Sequence, residues 1–196
     1  ELKCEIPIVT GWHLIPAKAI KRTNMGLRVL LFSLVIAGLL SGLTAHAQNA
    51  PRLIGKYRAW EAFVYKESGK QVCFISTEPS SSSPENVRRG QIYIVVTHRP
   101  ADSVRDEVSV YVGYPLRDKT EASVTIGKKN FQLFTSGQSA WAYNSADDKA
   151  IVKAMVRGSD LTVKGTSQRG TDTTDKYSLL GFTAARNAIN KACAPA

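Results

Sequence analysis

The residue types that ordinarily carry chemistry are scarce in this chain. Its 196 residues include three histidines and three cysteines, and only His98, Cys73 and Cys193 among them lie beyond position 47. A metal centre needs several nitrogen, sulfur or oxygen ligands converging on one point. One histidine and two cysteines that are expected to pair with each other do not supply them, so no metal or other cofactor is expected. A serine hydrolase needs a nucleophile, a base and an orienting acid. His98 would be the sole base, and no Gly-x-Ser-x-Gly elbow surrounds any serine. His98 sits in Thr97-His98-Arg99-Pro100 at a strand exit, where an exposed or hydrogen-bonded structural histidine is the plainer reading. Neither the phosphate-cradling Gly-x-x-x-x-Gly-Lys-[Ser/Thr] nor a dinucleotide Gly-x-Gly-x-x-Gly occurs. Carboxylate pairs can work as acid and base, but Asp147-Asp148 reads as helix capping and Asp106-Glu107 as a charged turn behind Arg105. The sequence predicts no catalytic residue and no enzyme.

Basic charge is the stronger signal. Lys and Arg number 26 against 16 Asp and Glu, a formal charge of +10. Arg88-Arg89, with Arg99 and Arg105, flanks an apolar segment; Arg117 and Lys119 follow, and Lys128-Lys129 occupies a hairpin tip. Arg88, Arg89, Lys128 and Lys129 form the candidate patch for an anionic partner. The plain reading of such charge is a solvated surface that keeps a protein soluble; the functional one is attraction of acidic lipids, phosphates or glycans.

Which residues remain in the working molecule decides between partners. From Met25 the chain runs Met25-Gly26-Leu27-Arg28 into an apolar stretch ending at Leu40, then reaches Ala45-His46-Ala47. A cationic start, an apolar core of about a dozen residues and small residues before a cut make a secretory signal. A membrane-spanning helix needs about 20 apolar residues, and Ser41 and Gly42 interrupt the run. Residues 25–47 are thus expected to be a signal peptide cleaved after Ala47, and residues 1–24 an upstream extension translated through a misplaced start. Residues 48–196 form a single domain of 149 residues; the loss of five basic and two acidic side chains lowers +10 to +7. An exported protein seldom meets nucleic acid, so the basic surface points to envelope components or a host surface. No integral span is expected after cleavage, and the place expected is the periplasm or the exterior.

Export also bears on the cysteines. Cys4 falls away, leaving Cys73 and Cys193 in a chain bound for an oxidising compartment. They are expected to form one disulfide; two free buried thiols are the alternative.

The elements that position these residues are mostly strands. Short runs rich in β-branched and aromatic residues recur at intervals of about 8 to 15 residues between turn-formers. Strands are predicted over 57–65, 71–77, 91–97, 108–113, 123–126, 131–135, 140–143, 161–167 and 173–179. Ile92-Tyr93-Ile94-Val95-Val96 is apolar on both faces and reads as a central strand. Val124 and Ile126 face Phe131 and Leu133 across a turn at Gly127 to Asn130. Two helices break the pattern. One begins at Ser145, with Asp147 and Asp148 opposing the helix dipole and Ile151, Val152 and Met155 as its buried stripe. The other covers 183–192, with Ala185, Ile189 and Cys193 on one face. The fold expected is mainly β, an antiparallel β-sandwich or open barrel with two short helices, one of them C-terminal.

A combination of segments resembles the invasion-associated locus B (IalB) family. It comprises Arg88-Arg89-Gly90-Gln91-Ile92-Tyr93, Ser109-Val110-Tyr111-Val112-Gly113-Tyr114-Pro115, Ala140-Trp141-Ala142, Ile151-Val152-Lys153-Ala154-Met155 with Gly158, Leu161-Thr162-Val163-Lys164-Gly165-Thr166-Ser167 with Arg169-Gly170-Thr171, and Thr174-Asp175-Lys176-Tyr177-Ser178-Leu179 with Gly181-Phe182. Trp60 and Cys73 match as well. The resemblance spans nearly the whole domain. It implies an exported Gram-negative protein, periplasmic or associated with the outer membrane, linked in pathogenic members to host-cell invasion and without established catalysis. It transfers no functional residue. Asp175 is expected to bond Arg169 or loop amides, chiefly to maintain the fold. The function expected is a non-enzymatic binding module; the alternative is a stress-related periplasmic accessory or chaperone-like protein that uses an exposed strand edge.

Overall fold

Alternation of buried and outward side chains builds the fold strand by strand. In Trp60-Glu61-Ala62, Ile94-Val95-Val96 and Leu161-Thr162-Val163 the first and third residues are buried and the middle one is not, the period-two signature of a sheet with one covered face. The computed structural model describes residues 50–194. The upstream extension expected over 1–24 and the signal peptide expected over 25–47 lie outside the described residues.

Eleven strands form one open antiparallel sheet. In chain order they are β1 (Arg52–Tyr57), β2 (Trp60–Glu67), β3 (Lys70–Thr77), β4 (Ser81–Ser83), β5 (Tyr93–Arg99), β6 (Val104–Tyr111), β7 (Glu121–Ile126), β8 (Lys129–Ser136), β9 (Ser139–Trp141), β10 (Asp160–Thr166) and β11 (Asp172–Ser178). Helix α1 (Ser145–Met155) joins β9 to β10, and α2 (Phe182–Ala192) follows β11. Across the sheet the order is β1-β2-β3-β5-β6-β9-β8-β7-β10-β11-β4. The mainly β antiparallel fold with two helices, one of them C-terminal, is as expected; the strands form one open sheet and not the two sheets of a sandwich.

The sheet curls until its distant strands meet. β2 and β11 are separated by seven strands in that order, yet Ala59 N–H donates to the Leu180 carbonyl at 3.2 Å and Trp60 Nε1–H to the Ser178 carbonyl at 3.0 Å. The closure depends on Gly181. Its φ is +92°, and a Cβ there would fall 1.8 Å from the Tyr57 carbonyl oxygen, so no other residue lets the chain pass.

The core fills the concave side. Trp60, Ile75, Ile94, Leu133, Tyr177 and Phe182 are fully buried, each large apolar side chain contributing about 1.5–3 kcal/mol of burial. Phe182, Ala185 and Ile189 recur at three- and four-residue steps and turn one face of α2 inward; Phe182 meets Trp60 edge-on at 5.0 Å between centroids. α1 buries Ile151, Val152 and Met155 as expected.

Local departures have local causes. The strand predicted over 57–65 starts in the last residue of β1, which was not predicted, passes a turn at Arg58, whose φ is +57°, and becomes β2 from Trp60; no glycine, proline or asparagine marks that turn. Ser81–Ser83, where no strand is predicted, form β4, which pairs Ser82 with Asp175. The cap of α1 is Asn144, whose Oδ1 accepts the Ala146 and Asp147 N–H groups, one residue ahead of the expected Ser145.

Candidate functional site

His98 lies beneath the C-terminal helix. It sits opposite Cys73 in the β3–β5 ladder and is fully buried. Its Nδ1 accepts the Asp106 main-chain N–H at 3.0 Å. That assignment places the ring proton on Nε2, which donates to Asn190 Oδ1 at 2.9 Å. Arg105 reaches the same oxygen at 2.8 Å and the Cys193 carbonyl at 3.3 Å. Arg186 on α2 grips Asp106 with two bonds of 2.7 and 2.6 Å. Cys73 and Cys193 are joined as a disulfide with Cα atoms 6.0 Å apart. The bond ties β3 to the end of α2, as the sequence led us to expect.

The environment sets the charges. Burial holds the His98 ring below its ordinary pKa, with Arg105 adding to the effect, while the Asn190 bond and the Asp106 charge oppose it. Burial pushes the Asp106 carboxyl up, yet the bonds and charge of Arg186, helped by His98 and Arg105, outweigh it and keep the pKa below the usual carboxylate value. Both nitrogens of His98 are committed to protein partners, so the group fixes α2 to the sheet and has no nitrogen left for a substrate proton.

Neither carboxylate pair converges on a shared site. Strand alternation turns Asp106 inward to Arg186 and lets Glu107 pair with Arg99. Asp147 accepts from the Asn144 side-chain amide at 2.8 Å. Asp148 faces the sheet and accepts the Val108 N–H at 2.8 Å, and burial raises its carboxyl to about 6. Among the described residues no group of three or more His, Cys, Asp or Glu is arranged to hold a metal ion.

Arg89 is not a surface cation. Its guanidinium donates to both Asp175 oxygens, at 2.7 and 2.6 Å, and to the Val112 carbonyl at 3.0 and 2.8 Å, and it lies 5.0 Å from the Tyr114 ring centroid. The side chains of the pair are 6% and 1% exposed. Asp175 therefore bonds Arg89, not Arg169. Arg88, Lys128 and Lys129 are exposed, but they do not adjoin. Lys129 opens β8, whereas Arg89 reaches Val112 beside the β8–β9 turn at the far end of that strand, about 24 Å away at 3.4 Å per residue. The four residues do not make one patch.

Residues 60–190 match the family described as Invasion associated locus B (IalB) protein. The chain belongs to the IalB family. A crystal structure of invasion associated protein b from Bartonella henselae aligns with 70% of this chain and 97% of its own, at 16% identity and a TM-score of 0.48. No curated protein matches the chain.

In this IalB-family domain two other loops that carry cations are joined. Arg117 and Lys119 follow β6, and Arg169 lies in the β10–β11 turn; all three are exposed. The two loops are zipped by main-chain bonds, Arg117 N–H to the Thr166 carbonyl at 2.9 Å and Gln168 N–H to the Pro115 carbonyl at 3.0 Å. The Arg117 guanidinium rests on Gly170, whose φ is +85° and where a Cβ would meet Nη2 at 2.7 Å. Asp172 on the same turn is engaged by the Thr166 hydroxyl at 2.6 Å. The sequence marked Arg117 and Lys119 as basic but gave no sign that Arg169 joins them, because the Leu116–Ser167 bridge is a long-range contact with no local signature.

Proposed function

We propose that this IalB-family chain is an exported envelope protein that acts by binding, not by catalysis, and that it takes an anionic partner at the loop end carrying Arg117, Lys119 and Arg169. One observation carries the reading. Three cationic side chains without an ion-pair partner among the described residues sit on two loops held rigid by main-chain bonds, so an anion meets them at little ordering cost. Export is supported by the signal read over 25–47 and by the disulfide, which belongs to an oxidising compartment. Among the described residues no helix is long and apolar enough to cross a membrane. The partner is an envelope component or a host surface, the second in keeping with the family's name.

The test is charge reversal in two separate sets. Arg117→Glu with Arg169→Glu should abolish binding to vesicles containing anionic lipid or to lipopolysaccharide, while Lys128→Glu with Lys129→Glu leaves most of it. Equal loss in both sets would mean diffuse attraction and would remove the site.

A second reading rests on the sheet edge. β1 is an edge strand with Leu53 41% exposed, a surface on which an unfolded client chain adds as a further strand. An accessory protein of this kind suppresses client aggregation at substoichiometric ratios, and an Ile54→Pro variant loses that effect.

A further inference from the structure

The outward face of the sheet bears a connected row of aromatic rings. Tyr93 on β5 stacks on Tyr111 of β6 at 4.5 Å and 18°. Tyr111 meets Trp141 of β9 edge-on at 6.3 Å, Trp141 stands opposite Phe134 in the β8–β9 ladder, and Phe134 packs on Tyr143 at 5.7 Å. These are the outward positions of their strands, since Ile94, Val110, Ala140 and Leu133 beside them are buried in the core. β5, β6, β9 and β8 are consecutive in the sheet, so the row crosses about 14 Å at 4.8 Å per strand. Both helices bury their apolar residues in the concave core; the four strand-borne rings are half-buried, and Tyr143 is 53% exposed.

We infer that this row is a platform for a neutral, hydroxyl-rich glycan chain. Charge is the first argument. Glu107 is paired with Arg99, and Glu121 accepts the Tyr143 hydroxyl at 2.6 Å, so the carboxylates beside the row are engaged with protein groups and the one cation these bonds bring to it, Arg99, is already neutralised. The exposed outward neighbours Gln132 and Ser136 are uncharged donors and acceptors. Shape and polarity are the second argument. A pyranose presents a face of C–H groups that lies on an aromatic ring and a rim of hydroxyls that bond serine, threonine and amide groups. A lipid surface or an apolar protein partner would favour outward aliphatic residues, and among the strand positions of this strip Val95 is the one that qualifies. The platform is separate from the Arg117 and Arg169 loop end and needs no contribution from it.

The experiment uses the secreted full chain titrated with neutral tetrasaccharides of glucose, mannose and N-acetylglucosamine, followed by ligand-observed NMR and calorimetry. Saturable binding to at least one series is expected, weakened at least tenfold by Trp141→Ala. Tyr143→Ala, whose ring is half-exposed and outside the strands, should weaken it at least threefold without altering the melting temperature, which keeps the result interpretable if Trp141→Ala perturbs the sheet. Arg117→Glu with Arg169→Glu should leave glycan binding unchanged, so failure of the anionic site and failure of this one read out separately. Absence of binding in all three series overturns the inference. So does a Trp141→Ala effect confined to phosphatidylcholine vesicles or to self-association, which would assign the row to a membrane or to a second copy.

Discussion

Arg89 and Asp175 form a two-bond ion pair inside the curled sheet, joining the segment ahead of β5 to β11 across 86 residues of sequence. Removing one member leaves the other charge in an apolar interior, whereas replacing both can be nearly neutral. Arg89→Ala should therefore lower stability by about 3–5 kcal/mol, and Arg89→Met with Asp175→Leu should recover most of it. Urea denaturation of both variants decides. A loss under about 1 kcal/mol for the single change would mean that water or another cation reaches Asp175.

Asp148 carries the opposite kind of strain. Its carboxyl is raised to about 6 by burial, with Glu107, Asp106 and Asp147 adding repulsion and the Val108 bond opposing them. At pH 7 the ionised group costs the folded state up to about 3 kcal/mol, at 1.36 kcal/mol per unit. Asp148→Asn keeps an oxygen for the Val108 N–H and removes the charge. The variant should be more stable at pH 7 by about 1–2 kcal/mol, with the advantage shrinking as the pH falls through 6, where the native carboxyl takes up its proton. Chemical denaturation at pH 7 and pH 4.5 measures both; an advantage independent of pH would refute the account.

The disulfide closes a long loop, its cysteines lying 120 positions apart in sequence. Chain-entropy arithmetic assigns such a crosslink about 4–5 kcal/mol. The change from Cys73 and Cys193 to alanine should lower the urea midpoint accordingly and expose amides at the end of α2 to hydrogen exchange before those of β5 and β6. Simultaneous loss of protection in all three would mean that α2 is not a separately opening unit.

What the sequence revealed and what it hid follow the range of the interactions. The apolar run around Ile94, the alternation of Val124 and Ile126 and the stripe of α1 are local patterns, and they appear in the structure close to where they were read. Cys73 and Cys193 were legible because cysteine pairing is nearly a matter of counting. Arg89 was misread as a surface cation because charge suggests solvent by default, and only its distant partner Asp175 reverses that. Asp148 was read correctly as part of a helix start, but burial, which depends on β6, changes its chemistry. The aromatic row was equally hidden: Tyr93, Tyr111, Trp141 and Phe134 come from four strands, and their adjacency exists only in the strand order.

His98 provides the counterweight to Asp148 in acid. Burial, chiefly, with Arg105 assisting, depresses its pKa below 6.5 against the Asn190 bond and the Asp106 charge. A depressed histidine contributes stability that is complete above its unfolded pKa and is lost as the pH falls through the lower folded value. Protonation also removes the Nδ1 acceptor from the Asp106 N–H and brings a third cation among Arg105 and Arg186, so the loss should fall on the docking of α2. As the pH falls below about 6.5 the wild type gains at Asp148 while it loses at His98, so the two contributions oppose each other. Asp148→Asn abolishes the gain alone. Its unfolding free energy should therefore fall more steeply with acid than that of the wild type over the same interval. Equal slopes would overturn the raised Asp148 carboxyl, and a His98 ring that titrates at or above 6.5 by NMR would overturn the neutral Nε2–H ring as part of the α2 clasp.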